Sequence, residues 1–423
     1  MGWIGDYSIA VLQRRPLWVR LIIGLARTVN PIIKLGDSLF VLRAPDVREI
    51  LERASEFEIG FANSPKMLQG EFLLGMDPSW PRYHEYRREL ADVLAKRRAE
   101  FRAAYKNESE KHFNKILCDG RGVIDFVQDF AEPIVVKIVE RVYGISAPLK
   151  SDLFSAAKDH QRLGHLLRAV GSVIAFTSPA PFGRQRIADL ASKELKQHLD
   201  ALIETRRQAI LGGQDPQDTV MDDLVFNELQ RFECFDADVV RAKLAGLVLA
   251  GSTAIIKAFS HAMHQFLKGD MGGSDREPLK LAIDEANASR REGVERLVFE
   301  ALRFNPTFPI ITRFCPRSTT IASGTPHGCE VPAGATVVPV LISAMFDESA
   351  TPSPESFGYQ RSDDDYLHFG HGQHECLGKQ IATDALVEMS LCALRWPGLL
   401  QAAGAKVLKY DGVAVESFVV QKR

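Results

Sequence analysis

Near the middle of the chain lies a helical pattern so long and apolar that it requires a large core. Apolar residues recur at helical spacing through residues 239–267, after a cap at Asp236 or Asp238 and before a basic stop at 268–269. At 1.5 Å per residue such a helix would be about 45 Å long. No charged residue occurs at 244–256, so we expect every face of the helix to be buried there.

Most of the remaining sequence also has helical periodicity, and strand-like segments are few. They lie at residues 39–42 and between residues 319 and 341, the second with glycine-rich and proline-containing turn residues. The first strand runs into a helix predicted over 46–53. Two further helices are predicted over 290–304 and 376–394. The sequence therefore predicts a mainly α fold with small β-sheets.

The 423 residues are enough for several domains or for one large one. The least hydrophobic stretch, residues 269–277, is short enough to be a loop between helices. We find neither an internal repeat nor an interdomain linker, so we expect residues 1–423 to form a single domain.

Charge and cysteine content exclude several classes of protein. Lysine plus arginine (52) nearly balances aspartate plus glutamate (54), so the strongly basic field of a nonspecific nucleic-acid binder is missing. Six scattered cysteines without a C-x-x-C pair indicate neither a disulfide framework nor zinc fingers. The apolar run at residues 17–26 contains Arg20 and is only half a bilayer span, and no cleavage site follows it. We therefore expect a cytoplasmic protein without a membrane anchor.

The segment richest in chemistry is the decapeptide at residues 369–378, FGHGQHECLG. Its glycines permit a tight loop, and Cys376 falls where a helix is predicted to begin. Unpaired amides and the positive end of the helix dipole would favour the thiolate form of Cys376. A thiolate held on a rigid loop is a suitable axial ligand for haem iron.

The decapeptide resembles the haem-binding signature of the cytochrome P450 family, F-x-x-G-x-x-x-C-x-G, position for position. The resemblance implies that Cys376 ligates the iron of a haem b cofactor. It also implies that Phe369, Gly370, His374 and Gly378 contact the haem.

Three further elements of the family pattern occur in the expected order. Glu300 and Arg303 resemble the E-x-x-R pair of the family's K helix, where spacing i to i+3 allows the two side chains to pair. Arg313 resembles the arginine that binds a haem propionate. His84 and Arg88 resemble the H-x-x-x-R of the C helix, which contacts a propionate too. Taken singly, each of these elements would be an ordinary surface or core feature.

The resemblance extends from about residue 44 to residue 394 and implies a soluble, bacterial-type cytochrome P450 with a single triangular-prism domain. It implies a monooxygenase that oxidises a hydrophobic small molecule with O2 and two electrons. No flavin or dinucleotide fingerprint is present, so a separate ferredoxin or flavodoxin would supply the electrons. The basic residues at 96–106 are either its docking surface or a solvated helix face.

The central helix departs from the family pattern A-G-x-(Asp/Glu)-Thr. Ala250 and Gly251 match, which would bring the haem and dioxygen close to the helix. Thr253, however, stands at the acid position and Ala254 at the threonine position, so the acid-alcohol pair that relays protons is missing. Ser252, Thr253 and Ala254 are therefore the candidate catalytic positions, although both hydroxyls could instead bond to the preceding turn.

Three chemistries are compatible with this departure. A monooxygenase could complete the relay with water or a substrate hydroxyl. A peroxide-dependent oxygenase or a hydroperoxide isomerase would need no redox partner. A haem sensor or carrier without catalysis is the alternative from another class.

A second departure lies at Ser356, where relatives often place a basic residue that locks the E-x-x-R pair. We expect Arg361, just downstream, to substitute for it.

The substrate pocket is expected to be apolar, as most binding sites are. The candidate wall residues are Phe61, Met67, Leu247, Phe308, Ile310 and Ile311.

A zinc site is the remaining alternative, because His368, His371 and His374 crowd the loop that carries Cys376. The absence of a second ligand pair at finger spacing argues against it.

Overall fold

The computed structural model describes residues 16–59, 73, 76, 79–120, 122–174, 182–215, 218–231, 234–268, 277–358, 360–397, 399 and 408–421. They form two compact units. The first comprises Met1–Gly60, Met76–Pro81 and His261–Cys376, and the second comprises Phe61–Gly75, Arg82–Ser260 and Leu377–Arg423.

The predicted fold class, mainly helical with small sheets, is confirmed. The described helices are α1 (Pro16–Val29), α2 (Ala44–Glu52), α3 (Pro81–Cys118), α4 (Glu132–Arg141), α5 (Asp159–Ile174), α6 (Phe182–Leu211), α7 (Val220–Arg231), α8 (Ala237–Lys268), α9 (Glu277–Asn287), α10 (Arg291–Phe304), α11 (Leu341–Ala344) and α12 (Lys379–Ala393). The described strands are β1 (Ile32–Leu35), β2 (Ser38–Val41), β3 (Val123–Asp125), β4 (Arg313–Phe314), β5 (Thr319–Ile321), β6 (Cys329–Val331), β7 (Thr336–Pro339), β8 (Lys409–Asp411), β9 (Ala414–Ser417) and β10 (Val419–Gln421).

The first unit contains the larger sheet, whose strands follow the order β1-β2-β7-β4. β2 and β7 pair in parallel, and the two outer pairs are antiparallel. Leu39 faces Val337 in this register, and both side chains are buried. The strand predicted at 39–42 is therefore real but begins one residue earlier. It leads into α2, which begins two residues before the predicted start at residue 46.

The predicted central helix is α8. Its cap is Asp236, whose Oδ1 accepts hydrogen bonds from the backbone N–H groups of Asp238 (2.9 Å) and Val239 (3.3 Å). Among the described helices it alone is long and apolar enough to cross a membrane, but 56% of its most apolar window is buried within the protein. A mostly buried core helix satisfies the same criterion of length and composition.

Aromatic side chains hold α8 against its neighbours in the second unit. Phe259 of α8 contacts Phe130 at 5.6 Å and Phe126 at 6.0 Å between ring centroids. Both partners belong to a π-helical turn, Phe126–Ala131, that leads directly into α4. The start of α4 is thereby held close to α8.

Two predicted helix boundaries need correction. The helix predicted over 290–304 is α10, which begins one residue later. The helix predicted to begin at Cys376 is α12, which begins three residues later at Lys379, after Gly378 as its cap. The chain makes a turn at 377–378 before the helix starts.

Candidate functional site

A tight loop in the first unit presents Cys376. Gly370 and Gly372 have φ angles of +74° and +71°, a conformation that glycine adopts without steric cost. The backbone N–H of Cys376 donates to the carbonyl of Phe369 at 2.8 Å and closes the loop. The Cys376 side chain is exposed.

Cys376 lies shortly before Gly378, the cap of α12, and its own N–H donates to the carbonyl of Phe369. The predicted start of the helix at Cys376 is therefore wrong, and the thiolate form of Cys376 stays a prediction.

Gly372 is required for packing as well as for its backbone conformation. A Cβ atom built on it would lie 2.7 Å from the carbonyl oxygen of Leu51 and 3.1 Å from the Cα of Glu52. Both are backbone atoms at the end of α2, so they cannot rotate away. The loop is therefore seated directly on α2.

We expect Gly372→Ala to destabilise the protein more than the matched change Gly334→Ala. Gly334 has a similar φ of +83°, but no atom lies within 4 Å of a Cβ built there. Both variants carry the left-handed backbone strain of about 1–2 kcal/mol. Only Gly372→Ala adds the steric conflict, which should lower the free energy of unfolding by about 1–3 kcal/mol more. Urea unfolding measures the difference, and equal losses would contradict the seating of the loop on α2.

The E-x-x-R pair on α10 is buried completely. Arg303 donates to the Glu300 carboxylate from Nε (3.0 Å) and from a terminal nitrogen (2.7 Å), and neither side chain has any exposed area. Arg303 also donates to the carbonyl oxygens of Met345 and Ser356, both at 3.2 Å. Such a fork-to-fork pair fixes both direction and distance.

Three further groups complete the shell around Glu300. The Nε of Arg361 donates to its carboxylate at 3.1 Å, the Tyr366 hydroxyl at 3.1 Å and the backbone N–H of Gly358 at 2.8 Å. Arg361 thus supplies the basic side chain beside Glu300 that position 356, a serine in this sequence, does not. The contact of the Tyr366 hydroxyl with Glu300 could not be predicted from the sequence, because no motif relates these two positions.

The same helix anchors the segment that leads into the cysteine loop. His368 Nε2 lies 2.8 Å from the carbonyl oxygen of Phe299, and the Phe369 ring packs 5.8 Å from the Phe299 ring. Burial lowers the pKa of His368 to about 4, so its imidazole is neutral at ordinary pH. α10 therefore holds both the E-x-x-R network and the approach to Cys376.

The histidines of the loop do not form a zinc site. His368 bonds to Phe299, and the Nε2 of His371 lies 2.8 Å from a carboxylate oxygen of Glu52. Within the described ranges, no three His, Cys, Asp or Glu side chains are arranged to hold a metal ion.

Arg313, at the start of β4, is a buried cation that lacks an anion. Only 8% of the residue is exposed, and its guanidinium donates to the carbonyl of Thr312 at 2.9 Å. No carboxylate pairs with it in the part of the chain that the structure describes. Burial lowers the pKa of Arg313 to about 10, which still leaves it charged at neutral pH. A buried, unneutralised guanidinium is suited to a ligand carboxylate.

In the second unit, α8 has one open face in its apolar centre. Ala250 is exposed, and Gly246, Leu247, Gly251 and Ala254 are half-buried. These positions recur at helical spacing and form one face. The expectation that every face is buried was therefore wrong, because lack of charge does not distinguish packed protein from a ligand surface. Small residues on this face allow a flat ligand to approach the backbone.

The two hydroxyls of α8 behave differently. Thr253 Oγ1 donates to the carbonyl of Leu249 at 3.1 Å, one turn back. Ser252 Oγ is buried and has no hydrogen-bond partner among the described residues. The back-bonding alternative therefore describes Thr253 but not Ser252.

His84 and Arg88 are exposed on α3, one helical turn apart. The His84 ring contacts the Tyr83 ring edge-on at 5.4 Å. Arg88 makes no ion pair with a described residue, so its charge is available to a ligand.

The basic segment at 96–106 is largely neutralised by acids of the same unit. Arg97 is itself buried, and Lys106 is the one basic residue of this segment without an acidic partner among the described residues. The pairs are Lys96 and Arg97 with Asp223, Arg98 with Asp384, and Arg102 with Glu388. The last two pairs tie α3 to α12, so this segment has a structural role that the sequence analysis missed.

The candidate pocket residues fall in different environments. Phe308 is exposed, Ile311 and Leu247 are half-buried, and Ile310 is buried. Phe61 and Met67 lie outside the described residues.

An exposed cysteine on a glycine-bounded loop can serve as an axial ligand to haem iron. The sequence matches the Cytochrome P450 family profile over residues 280–394. Erythromycin C-12 hydroxylase of Saccharopolyspora erythraea is 28% identical over 270 residues, which are 63% of this chain and 59% of the relative. The putative cytochrome P450 YjiB of Bacillus subtilis is 25% identical over 272 residues, 62% of this chain and 58% of the relative.

The match thus spans less than two thirds of the length of these relatives. The fold likeness extends further. The crystal structure of CYP109B1 from Bacillus subtilis superposes with a TM-score of 0.69 at 18% identity, over 94% of this chain and 98% of that one. Residues 280–394 thus resemble the Cytochrome P450 family, and the chain shares the fold of solved cytochrome P450 structures.

Proposed function

We propose that this protein binds haem b through Cys376 and acts as a monooxygenase, oxidising a hydrophobic small molecule with O2 and two electrons. The observation that carries the proposal is the exposed Cys376 on a loop anchored by α10. When bound, haem supplies the oxygen-activating chemistry. The chain's own residues hold the cofactor, orient the substrate and control protons.

The residues present fit this cofactor. Arg313 offers a buried cation that a propionate would neutralise. His84 and Arg88 offer a further exposed donor pair for a propionate. The small residues of the open face of α8, with Ala250 and Gly251 at its centre, leave room for a planar ring.

The substrate class follows from apolar side chains and from a relative. Leu247 lies on the open face of α8, and Phe308 and Ile311 follow α10 with exposed or half-buried side chains. The related erythromycin C-12 hydroxylase acts on erythromycin, as its name states. We therefore propose a moderately hydrophobic organic substrate.

Bacterial members of the family typically take electrons from a redox partner. We propose a ferredoxin or flavodoxin in this role. Because the basic segment at 96–106 is mostly ion-paired, we do not assign it as the docking surface. A single haem domain in the cytoplasm completes the proposal.

A second candidate is favoured by α8 itself. Ala254 has no hydroxyl, and the Thr253 hydroxyl is engaged by Leu249. An enzyme that uses peroxide directly, or rearranges a substrate hydroperoxide, needs no proton relay of the usual kind.

Isotope labelling separates the two. The haem-loaded protein is incubated with ferredoxin, ferredoxin reductase and NADPH under ¹⁸O₂, with a panel of macrolides, steroids and fatty acids. We expect a product that carries one ¹⁸O atom. Turnover with hydrogen peroxide but none with the electron donor would establish the second candidate. Absence of product with either oxidant would indicate a haem sensor or carrier.

A further inference from the structure

The helix α1 presents a row of large apolar side chains to solvent. Ile22, Leu25 and Val29 are 67%, 70% and 77% exposed, and their spacing places them on one face of the helix. Among the described helices, only α1 has three large apolar side chains exposed by two thirds or more on a single face. Single exposed apolar residues are ordinary on protein surfaces, whereas a contiguous group of this kind indicates an interaction site. We call these three side chains the apolar row.

The opposite face of α1 attaches the helix to the rest of the first unit. Arg27 lies about 170° around the helix from the centre of the apolar row, at 3.6 residues per turn. Its guanidinium donates to the carbonyl oxygen of Ser343 in α11 at 2.8 Å, and its Nε lies 3.8 Å from a carboxylate oxygen of Asp347. A surface helix of a soluble protein normally turns its apolar face inward and its charged face outward. At these positions α1 has the opposite orientation.

The sequence around α1 carries an excess of positive charge. Residues 7–36 contain five basic residues and no aspartate or glutamate, although the whole chain has a formal net charge of -2. Lys34 is exposed and has no acidic partner among the described residues. A local excess of basic residues beside an apolar face is attracted to an anionic surface. The five basic residues are Arg14, Arg15, Arg20, Arg27 and Lys34.

The free face of α1 fits a flat partner better than a groove. α1 has 14 residues and is about 21 Å long, too short to cross the ~30 Å hydrocarbon core of a bilayer. Because α11 occupies the inward face through Arg27, α1 cannot lie in a groove that encloses a helix on several sides. The interface of an anionic bilayer offers apolar chains and negative headgroups in one plane, and amphipathic helices with basic residues bind there.

We propose that α1 binds the surface of an anionic lipid membrane, with the apolar row inserted between the lipid headgroups and Lys34 close to the phosphates. Helices of this kind enter the boundary between headgroups and acyl chains by about 5–10 Å. The helix lies on the bilayer and does not span it, so the association is reversible. The inference goes beyond the proposed oxidation and does not depend on it, because binding involves neither the cofactor nor the substrate.

Sedimentation with lipid vesicles tests the proposal on the whole haem-loaded chain. The vesicles contain phosphatidylcholine and phosphatidylglycerol in equal parts, and vesicles of phosphatidylcholine alone serve for comparison. We expect the protein to sediment with the mixed vesicles and much less with phosphatidylcholine alone. Salt at about 1 M, where the Debye length is about 3 Å, should weaken binding to the mixed vesicles. Failure to bind the mixed vesicles, or equal binding to both kinds, would overturn the proposal.

The variant Leu25→Gln is expected to lower the partition coefficient for the mixed vesicles by about 10-fold. Moving a large apolar side chain from water into an apolar environment is worth about 10–100-fold, and Leu25 is 70% exposed before binding. The matched control is Leu190→Gln on α6, which replaces another exposed leucine and should bind like the parent. Glutamine is a good helix former, so both helices are retained. Equal binding by the two variants would overturn the assignment of the lipid contact to α1.

The variant Lys34→Gln separates charge from apolar contact. A basic residue near an anionic bilayer raises the affinity about fivefold, so we expect about a fivefold loss on the mixed vesicles. On phosphatidylcholine alone the variant should match the parent. An equal loss on both kinds of vesicle, or no loss on either, would overturn the placement of Lys34 at the headgroups.

A second copy of the chain is the competing occupant of the apolar row, and sedimentation equilibrium without lipid tests it. We expect the parent and Leu25→Gln to have the same mass in solution. A parent dimer that dissociates in Leu25→Gln and does not bind vesicles would assign the apolar row to self-association and overturn the lipid proposal. If Leu25→Gln does not fold, Ile22→Gln replaces it in both experiments.

The carbon-monoxide spectrum of the reduced protein keeps this inference apart from the proposed function. A parent without the thiolate signature would refute the proposed function and leave the vesicle result intact. A parent that shows the signature but does not bind the mixed vesicles would refute only the lipid contact.

Discussion

The variant Cys376→Ser is expected to lose the red-shifted Soret band that the reduced parent protein shows with carbon monoxide. A serine hydroxyl is far less acidic than a thiol and provides no anionic sulfur to the iron. Cys376 is exposed, so its replacement removes no core packing. Changes in the residues around a metal ligand typically lower metal affinity or activity by about 10–100-fold. Loss of the ligand itself should therefore reduce turnover by at least about 100-fold.

The matched control is Cys118→Ser, another exposed cysteine, at the end of α3. It should retain the band, the haem content and the turnover of the parent. Haem content is measured separately, because Cys376→Ser could bind haem with a different axial ligand. A Cys376→Ser variant that keeps the parent band would place the ligand elsewhere and contradict our assignment.

Local chemistry allowed the positions of several elements to be predicted. The cap at Asp236 and the uncharged centre of α8 are local features of the sequence. The predicted bounds of this helix therefore lie close to the observed ones. The glycines at 370 and 372 likewise encode the tight turn before Cys376. In both cases the determining interactions are between residues near in sequence.

Features that depend on distant partners were missed. The start of α12 is delayed because the N–H of Cys376 bonds back to Phe369, a contact that helix propensity does not contain. Tyr366 and Gly358 join Glu300 across about 60 residues of chain. Glu132 and Ser252 line one cavity although more than 100 residues separate them, and no spacing rule connects them.

The variant Glu300→Gln is expected to lower the free energy of unfolding by about 3–5 kcal/mol, the usual cost of breaking a buried ion pair from one side. Gln has nearly the same size, so packing is preserved and the change isolates charge. Arg303 has no exposed area and Arg361 only 8%, so both guanidinium groups would stay buried without their carboxylate. Tyr366 and Gly358 would keep only an amide oxygen as acceptor.

The same helix provides the control. Glu292 and Arg296 form an i,i+4 pair on α10 at 2.6 Å, but their side chains are 79% and 50% exposed. Water and salt screen such a pair, so Glu292→Gln should change stability by no more than about 0.5–1 kcal/mol.

Urea unfolding of the haem-loaded variants measures the difference, and haem retention during dilution measures its functional consequence. Glu300→Gln should release haem faster, because Tyr366 and His368 connect this network to the loop of Cys376. Similar stability losses in Glu300→Gln and Glu292→Gln would show that the buried pair is not what stabilises this region. A destabilised Glu300→Gln variant that keeps haem as tightly as the parent would separate the network from the cysteine loop. The two measurements therefore test the stability of α10 and its role as an anchor independently.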